Sequence, residues 1–446
     1  MSNSTIVIIG GGASGALLAT AIVRSSDRLR AVVLEPRERL GAGLAYSTEC
    51  FSHVLNVPAA RMSAFPGEPN HFVDWLAESY PHRFAAHAFV PRRIYGEYVA
   101  GVADAARRSA PERLLHLRTR AIDAFERDGH VVVQCSDGSL IEGSALVFAT
   151  GNPAPAAWRN TIDASTGGRL FASAWERGAL TPERETERVL LIGTGLTAVD
   201  AALGLRENGH RGHVTMISRR GLLPHEHRIS RSPSNVIDEW FDHRTFMRAS
   251  RSLRRAARNE HNWRATLDAI RPNTNAMWEA MPIDDKQRFL RRLMPYWSVH
   301  RHRMAPEIAQ RLSEMMSSGM LKVVSGSVGT IRDGSGGLRV PFHNKVGSLT
   351  IEADRVINCT GALHDYRRDE EGLVGKLIAR GVLSPSALGL GIAVGSSGAA
   401  LQTDGTLSPR FFAMGPLRFG TLFETIAMPE IRVQAVELAT HLSTMA

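Results

Sequence analysis

One arrangement occurs twice in this chain: an apolar run, a glycine-rich turn, a helix and a second apolar run. The first copy spans Ser4 to Glu35 and the second Arg188 to Ser218. Each half is closed by an apolar run ending in Thr-Gly, Val147-Phe-Ala-Thr-Gly151 in one and Val356-Ile-Asn-Cys-Thr-Gly361 in the other. Internal repetition of this kind restricts the architecture more than composition does. A continuous apolar run such as Thr5 to Ile9 belongs to a parallel strand covered on both faces. The expected class is α/β: two Rossmann-like dinucleotide-binding domains with β-meanders and a helical insertion.

The turns carry the chemistry. Gly10-Gly11-Gly12-Ala13-Ser14-Gly15 places glycines at the three offsets Gly10, Gly12 and Gly15, after a strand and at the start of a helix. Gly10 allows the tight turn, Gly12 lets a pyrophosphate approach the backbone, and Gly15 lets helix and strand pack closely. Ser14 lies within this loop, where free N–H groups and the positive helix end face the phosphates. Glu35, at the end of the next strand, is the acid expected to accept hydrogen bonds from a ribose. Thr150 and Gly151, where the closing strand ends, complete the site, which suits FAD.

The second turn, Gly193-Thr194-Gly195-Leu196-Thr197-Ala198, keeps the same offsets with Gly193, Gly195 and Ala198, and Thr197 sits in the helix start. The position equivalent to Glu35 is Ser218, followed by Arg219 and Arg220. A carboxylate there would repel a 2′-phosphate, whereas a hydroxyl and two guanidiniums would bind it. With Gly361 closing the half, this site suits NADPH. The alternative is that the two arginines are surface charges.

The expected domains are residues 1–155 as the first part of an FAD-binding domain, 185–361 as an NAD(P)-binding domain, and 362–446 as a return to the first. The second domain is interrupted by a helical insertion at about 238–318, with Trp278, Met281, Phe289, Leu290 and Leu293 at helical spacing. A helix is expected at His71 to Glu78, a hairpin near Asp128-Gly129 and a last strand at Arg410 to Met414. A final amphipathic helix after Pro429 should face Ile431, Val433, Val436 and Leu438 inward.

Six stretches carry a family resemblance. They are Gly43-Leu-Ala-Tyr46, Leu55-Asn-Val-Pro-Ala-Ala-Arg-Met-Ser63, Pro91-Arg-Arg-Ile-Tyr-Gly96, Gly193-Thr-Gly-Leu-Thr-Ala-Val-Asp200, Ser218-Arg-Arg-Gly-Leu-Leu-Pro224 and Pro429-Glu-Ile-Arg-Val-Gln-Ala435. Over nearly its whole length the chain resembles the bacterial FAD-NAD(P)-binding flavoproteins. These are relatives of flavin-containing and N-hydroxylating monooxygenases, and the group includes an FAD-dependent urate hydroxylase. The resemblance implies FAD, a pyridine nucleotide and O2. It departs from flavin-containing and Baeyer–Villiger enzymes at Gly168-Arg-Leu-Phe-Ala-Ser-Ala-Trp175, where Ala172 stands near the place of a histidine in their FxGxxxHxxxW/Y loop.

Asn56, Met62 and Ser63 are candidates for a flavin edge, with Met62 packing on the ring; a buried loop is the alternative. Gly415 opens a stretch that leads to Pro429 and could aim a helix N-terminus at the flavin pyrimidine edge, where negative charge develops on reduction. Glu424 lies beside this stretch, with a structural or a functional role. His300-Arg-His-Arg303 is read as a solvated basic turn rather than an anion site, and its histidines, two apart, do not share a helix face. No GxSxG, HExxH or P-loop occurs, so hydrolase and kinase readings lack support.

Composition narrows the alternatives. Of 446 residues 43% are hydrophobic and 22% charged, as in soluble globular proteins. No apolar run reaches the ~18 residues needed to cross a bilayer. Cys50, Cys135 and Cys359 are isolated, so neither a metal site nor a redox dithiol is expected, and a reducing cytoplasm fits. The net charge of +9 comes largely from arginine between His243 and Arg311. This is read as a solvated helical face, with no nucleic-acid or membrane partner.

The function expected is an FAD-dependent, NADPH-consuming monooxygenase acting with O2 on a small polar metabolite, a urate-like heterocycle or an amine. An FAD/NAD(P)H-dependent reductase or dehydrogenase without oxygen insertion is the alternative. A nucleotide-sensing or RNA-binding protein is a third reading, which two intact glycine-rich turns oppose.

Overall fold

The structure is a computed structural model and describes residues 4–153, 155, 168–228 and 263–445. The Asp238–Asn262 part of the expected insertion, including the arginines from His243 onward in it, lies outside the described residues.

The first sheet has six strands in the order Ala399–Leu401, Leu407–Ala413, Ala145–Phe148, Ser4–Ile9, Leu29–Leu34 and Leu114–Leu117. All are parallel except Ala399–Leu401 at the edge. The N-terminal strand lies between Leu29–Leu34 and Ala145–Phe148, so the order reverses beside it. This is the topological switch point at which α/β sheets bind ligands.

Period-2 alternation assigns the two faces. Ile6 and Ile8 pack with the helices Ala13–Ser25, Arg92–Ser109 and Met428–Met445. Val7 and Ile9 pack against the three-stranded meander of Ala121–Arg127, His130–Cys135 and Leu140–Gly143, and against the helix Leu373–Ala379. The first meander hairpin turns at Asp128 and Gly129, both at positive φ.

The second sheet repeats this plan in the order Leu321–Ser325, Val214–Ser218, Val189–Ile192, Arg355–Asn358 and Leu170–Phe171, all parallel. Leu170–Phe171 thus joins this sheet from upstream of residue 185. Helices Leu196–Glu207 and Pro306–Ser317 cover one face, and a four-stranded meander from Ser327 to Ala353 covers the other. Within the insertion the described residues form helices Trp263–Ile270, Thr274–Ala280, Ile283–Arg292 and Met294–Arg301.

Three local expectations differ. The last strand is Leu407–Ala413, starting earlier than Arg410. The final helix turns Ile431, Gln434, Ala435 and Leu438 inward, while Val433 and Val436 are 39% and 43% exposed. At 100° per residue the buried stripe follows i, i+3, i+4 and i+7 from Ile431, and positions 433 and 436 fall off it. The predicted solvated turn at His300–Arg303 is also wrong, as Arg303 is buried, Arg301 is largely covered, and both are paired.

Candidate functional site

The first glycine loop leaves the N-terminal strand at the switch point. Gly10 has φ +99°, and a Cβ there would lie 2.5 Å from the Ala149 carbonyl oxygen. At Gly15 a Cβ would lie 1.9 Å from the Gly10 carbonyl oxygen. These two glycines hold the loop against its own protein. Gly12 differs: an added Cβ would meet only the Gly43 Cα, at 3.4 Å. Gly12 is also the N-cap of helix Ala13–Ser25, and no side chain caps that helix. First-turn amides without a side-chain acceptor suit an anion.

Beside the loop is a cleft of about 590 Å³ lined by Gly10, Glu35, Arg37, Thr150, Gly151 and Tyr366, among others. That volume fits half of a dinucleotide. The Glu35 carboxylate accepts from the Gly11 amide at 2.9 Å and from the Arg37 amide at 3.0 Å, and pairs with the Arg37 guanidinium at 3.1 Å. It therefore braces the glycine loop while lining the cleft, with one lone-pair site left for a hydroxyl. Tyr366, from the returning C-terminal segment, donates to the Gly151 carbonyl at 3.3 Å.

The second loop is built alike. Gly193 has φ +128°, and a Cβ there would lie 2.3 Å from the Cys359 carbonyl oxygen. Gly195 and Gly361 have open space where a Cβ would sit. Gly195 is the N-cap of helix Leu196–Glu207, again with no side-chain cap, and Thr197 is half-buried in its first turn. The Ser218 hydroxyl is 2.8 Å from that of Thr194 and accepts from the Gly221 amide at 3.0 Å, so it fastens the loop. Arg219 and Arg220 remain exposed at the strand end, with Arg220 5.6 Å from the ring of Tyr296.

The proposed flavin-edge residues are divided. Met62 is buried in the core beside the first sheet, and the Ser63 hydroxyl closes its own loop on the Glu68 carbonyl at 2.6 Å. Both support the loop from inside. Asn56 is half-buried, and its carbonyl accepts from His227 Nε2 at 2.9 Å. Gly415, at φ +66°, lies against Ser14; its amide donates to Gln434 at 3.0 Å and its carbonyl accepts from Thr425 at 2.8 Å. The C-terminal helix thereby holds this stretch against the first glycine loop.

The His300–Arg303 segment joins the insertion to this region. Arg301 and Glu424, 12% and 7% exposed, form a two-pronged pair at 2.7 and 2.9 Å. Arg303 is buried and pairs with Asp268. Arg271 pairs with Glu430, in the first turn of the C-terminal helix, at 2.8 Å. Burial, reinforced by Arg301 and Arg271, pushes the His302 imidazole down to about 4. Burial does the same to His227, also to about 4, against its bond to Asn56. His227 ties the segment after the second glycine loop to the Asn56 loop, and His302 lies between the paired Arg301 and Arg303.

Sequence reasoning missed Gln434, Thr425, His53, Arg92 and Glu207. Their partners are brought near only by the fold, although Arg92, Gln434 and the carboxylate Asp200 all lie in stretches that carry the family resemblance. Among the described residues no cluster of metal-ligating side chains occurs and no helix is long and apolar enough to cross a membrane. All three cysteines are buried and unpaired.

Residues 7–153 match the protein-family model described as FAD-NAD(P)-binding. No curated protein sequence matches the chain. Among solved structures, similarity extends over 99% of both chains to the ornithine N-hydroxylase of Kutzneria sp. 744 with reduced FAD, NADP+ and L-ornithine, at TM-score 0.68 and 14% identity. The L-lysine 6-monooxygenase of Pseudomonas syringae matches over 100% of both chains, at TM-score 0.68 and 16% identity. The bacillithiol disulfide reductase of Staphylococcus aureus matches over 100% of this chain and 99% of its own, at TM-score 0.56 and 13% identity. At these identities the likeness establishes a shared fold, that of two-dinucleotide-binding-domain flavoproteins.

Proposed function

From an FAD-NAD(P)-binding domain at residues 7–153, we propose that the chain is an FAD-dependent, NADPH-consuming monooxygenase of a small, polar, amine-bearing metabolite. The observation that carries this reading is the pair of glycine loops in one chain, each at a switch point and each with an uncapped helix behind it. Residues 1–155 and 362–446 hold FAD in this account, and 185–361 hold NADPH. The structural neighbours that act on the amines ornithine and lysine favour an amine over a urate-like heterocycle.

When bound, FAD would supply the redox chemistry, as acceptor of the NADPH hydride and partner of O2. The protein supplies the rest. Gly12 and the amides of the Ala13–Ser25 helix receive the pyrophosphate, and Glu35 receives a ribose hydroxyl. Gly195 and the Leu196–Glu207 helix receive the second pyrophosphate. Arg219 and Arg220 receive the 2′-phosphate, which planar guanidiniums grip in pairs. Gly415, braced by Gln434 and Thr425 and lying against Ser14, ties the C-terminal helix to the first loop. Trp278, Phe419 and Phe423, the last two just beyond Gly415 in the chain, pack into a buried aromatic cluster of the kind that would keep water from a reacting site.

The test is NADPH oxidation by the flavin-loaded protein across primary amines, amino acids and urate, with products read by mass spectrometry. A gain of one oxygen by an amine supports the reading. Rapid NADPH-dependent reduction of a quinone or disulfide, with no oxygenated product, supports the reductase alternative.

A further inference from the structure

The helix behind the second glycine loop is fastened to the other domain at two points. Asp200, buried in its middle, forms an ion pair with Arg92 at 2.8 Å. Glu207, at its end, accepts from the Phe51 amide at 2.7 Å and the Ser52 amide at 2.9 Å. Between them His53 Nε2 lies 2.9 Å from the Asp200 carbonyl, and Nδ1 lies 2.7 Å from the Thr48 hydroxyl. A carbonyl only accepts, so Nε2 carries the proton and Nδ1 accepts from Thr48. Gly204 makes room for this approach, since a Cβ there would lie 2.9 Å from His53 Nε2.

The segment that receives these contacts is short and leads directly to Asn56. Arg92 also donates to the Val54 carbonyl at 3.1 Å, and its amide donates to the His53 carbonyl at 2.8 Å. Residues 51–54 are therefore held on one side by the Arg92–Ser109 helix of the first domain and on the other by the Leu196–Glu207 helix of the second. A carboxylate is an expensive group to bury in a helix that otherwise packs apolar residues on its own sheet. Both carboxylates of this helix, the buried Asp200 and the exposed Glu207, bond across the boundary to residues of the N-terminal half.

We infer that Asp200 and Glu207 are positioning residues for hydride transfer. They clamp the NADPH-binding helix to the 51–54 segment and so fix the distance between the nicotinamide and the flavin. The inference rests on the proposed function for its chemistry, and on these contacts alone for its geometry. Neither residue need touch a cofactor. A displacement of 1 Å at a reacting centre costs about 100-fold in rate, so a clamp of this kind governs the hydride step more than binding.

The test compares wild type with Asp200→Asn, Glu207→Ala and the double variant, all loaded with FAD. Flavin reduction by NADPH is followed by anaerobic stopped-flow. For the double variant the limiting reduction rate is expected to fall about 100-fold, with flavin stoichiometry and half-saturating NADPH unchanged; Asp200→Glu is expected to recover part of the rate. A lower melting temperature with an unchanged limiting rate overturns the inference. If wild-type flavin is not reduced by NADPH, the proposed function fails, and the clamp is judged by distance instead. Spin labels on cysteines introduced at Arg108 and Met316, one in each domain, should give a narrow distribution in wild type and a broad one in the double variant. Identical distributions overturn the clamp.

Discussion

Replacing Gly12 by alanine separates binding from folding at the first glycine loop. Gly12 has φ −65° and ψ −169°, a conformation open to any L-residue, and its Cβ would meet only the Gly43 Cα at 3.4 Å. The change in apoprotein stability should stay within about 0.5 kcal/mol. The added methyl stands where a pyrophosphate oxygen must approach the amides. Losing one charge-assisted hydrogen bond costs about 1.5–3 kcal/mol, so the Kd for FAD should rise about 10- to 150-fold. Gly15→Ala is the control: its Cβ would fall 1.9 Å from the Gly10 carbonyl oxygen. Helix and strand must then separate, at about 3 kcal/mol, the upper end for overpacking. Apoprotein titrated with FAD by flavin fluorescence, alongside urea unfolding, reads both quantities. Unchanged FAD affinity in Gly12→Ala, or an unfolded Gly12→Ala apoprotein, would refute the assignment of this loop to the pyrophosphate.

Removing both guanidiniums at Arg219 and Arg220 should raise KM for NADPH at least about tenfold relative to NADH; steady-state kinetics with both cofactors checks it, and equal wild-type use of the two would count against a 2′-phosphate site. Arg301→Met leaves Glu424 buried without its partner, at about 3–5 kcal/mol; a loss under about 1 kcal/mol in urea unfolding would mean that the pair is solvated. His227 and His302 titrate in the folded protein near 4, below the ordinary histidine value of 6.5. The unfolded chain therefore binds more protons between these limits, and stability that is complete above pH 6.5 is lost as pH falls toward 4. His302→Gln should flatten that dependence in unfolding curves recorded from pH 7 to 4, and an unaltered slope would exclude His302 as a source.

The two halves were legible because glycine offsets and closing Thr-Gly strands are local, and backbone crowding at Gly10, Gly15 and Gly193 leaves the sequence no other residue. Arg301 and Arg303 were misread for the opposite reason. Charge in a basic stretch suggests solvent, and only tertiary contact brings Glu424 and Asp268 to them. Val433 and Val436 look like core residues until the helix phase is fixed by Gln434, whose burial depends on the Gly415 amide. Ser63 and Met62 sit in a recognisable motif, yet their side chains turn into the loop and the core. Motif membership marked the loop and could not give its facing. The cross-domain contacts of Asp200 and Glu207 join residues over a hundred positions apart, which no local pattern encodes.

The central claim, oxygen insertion driven by NADPH through bound FAD, is tested most directly with isotopic oxygen. The FAD-loaded protein, NADPH and a panel of small amines are incubated under ¹⁸O2, and product mass is measured together with NADPH consumed and hydrogen peroxide released. The account predicts an amine product carrying one ¹⁸O atom, formed in proportion to NADPH consumed. NADPH consumption that yields only hydrogen peroxide with every amine, together with rapid reduction of a quinone or disulfide, would contradict it.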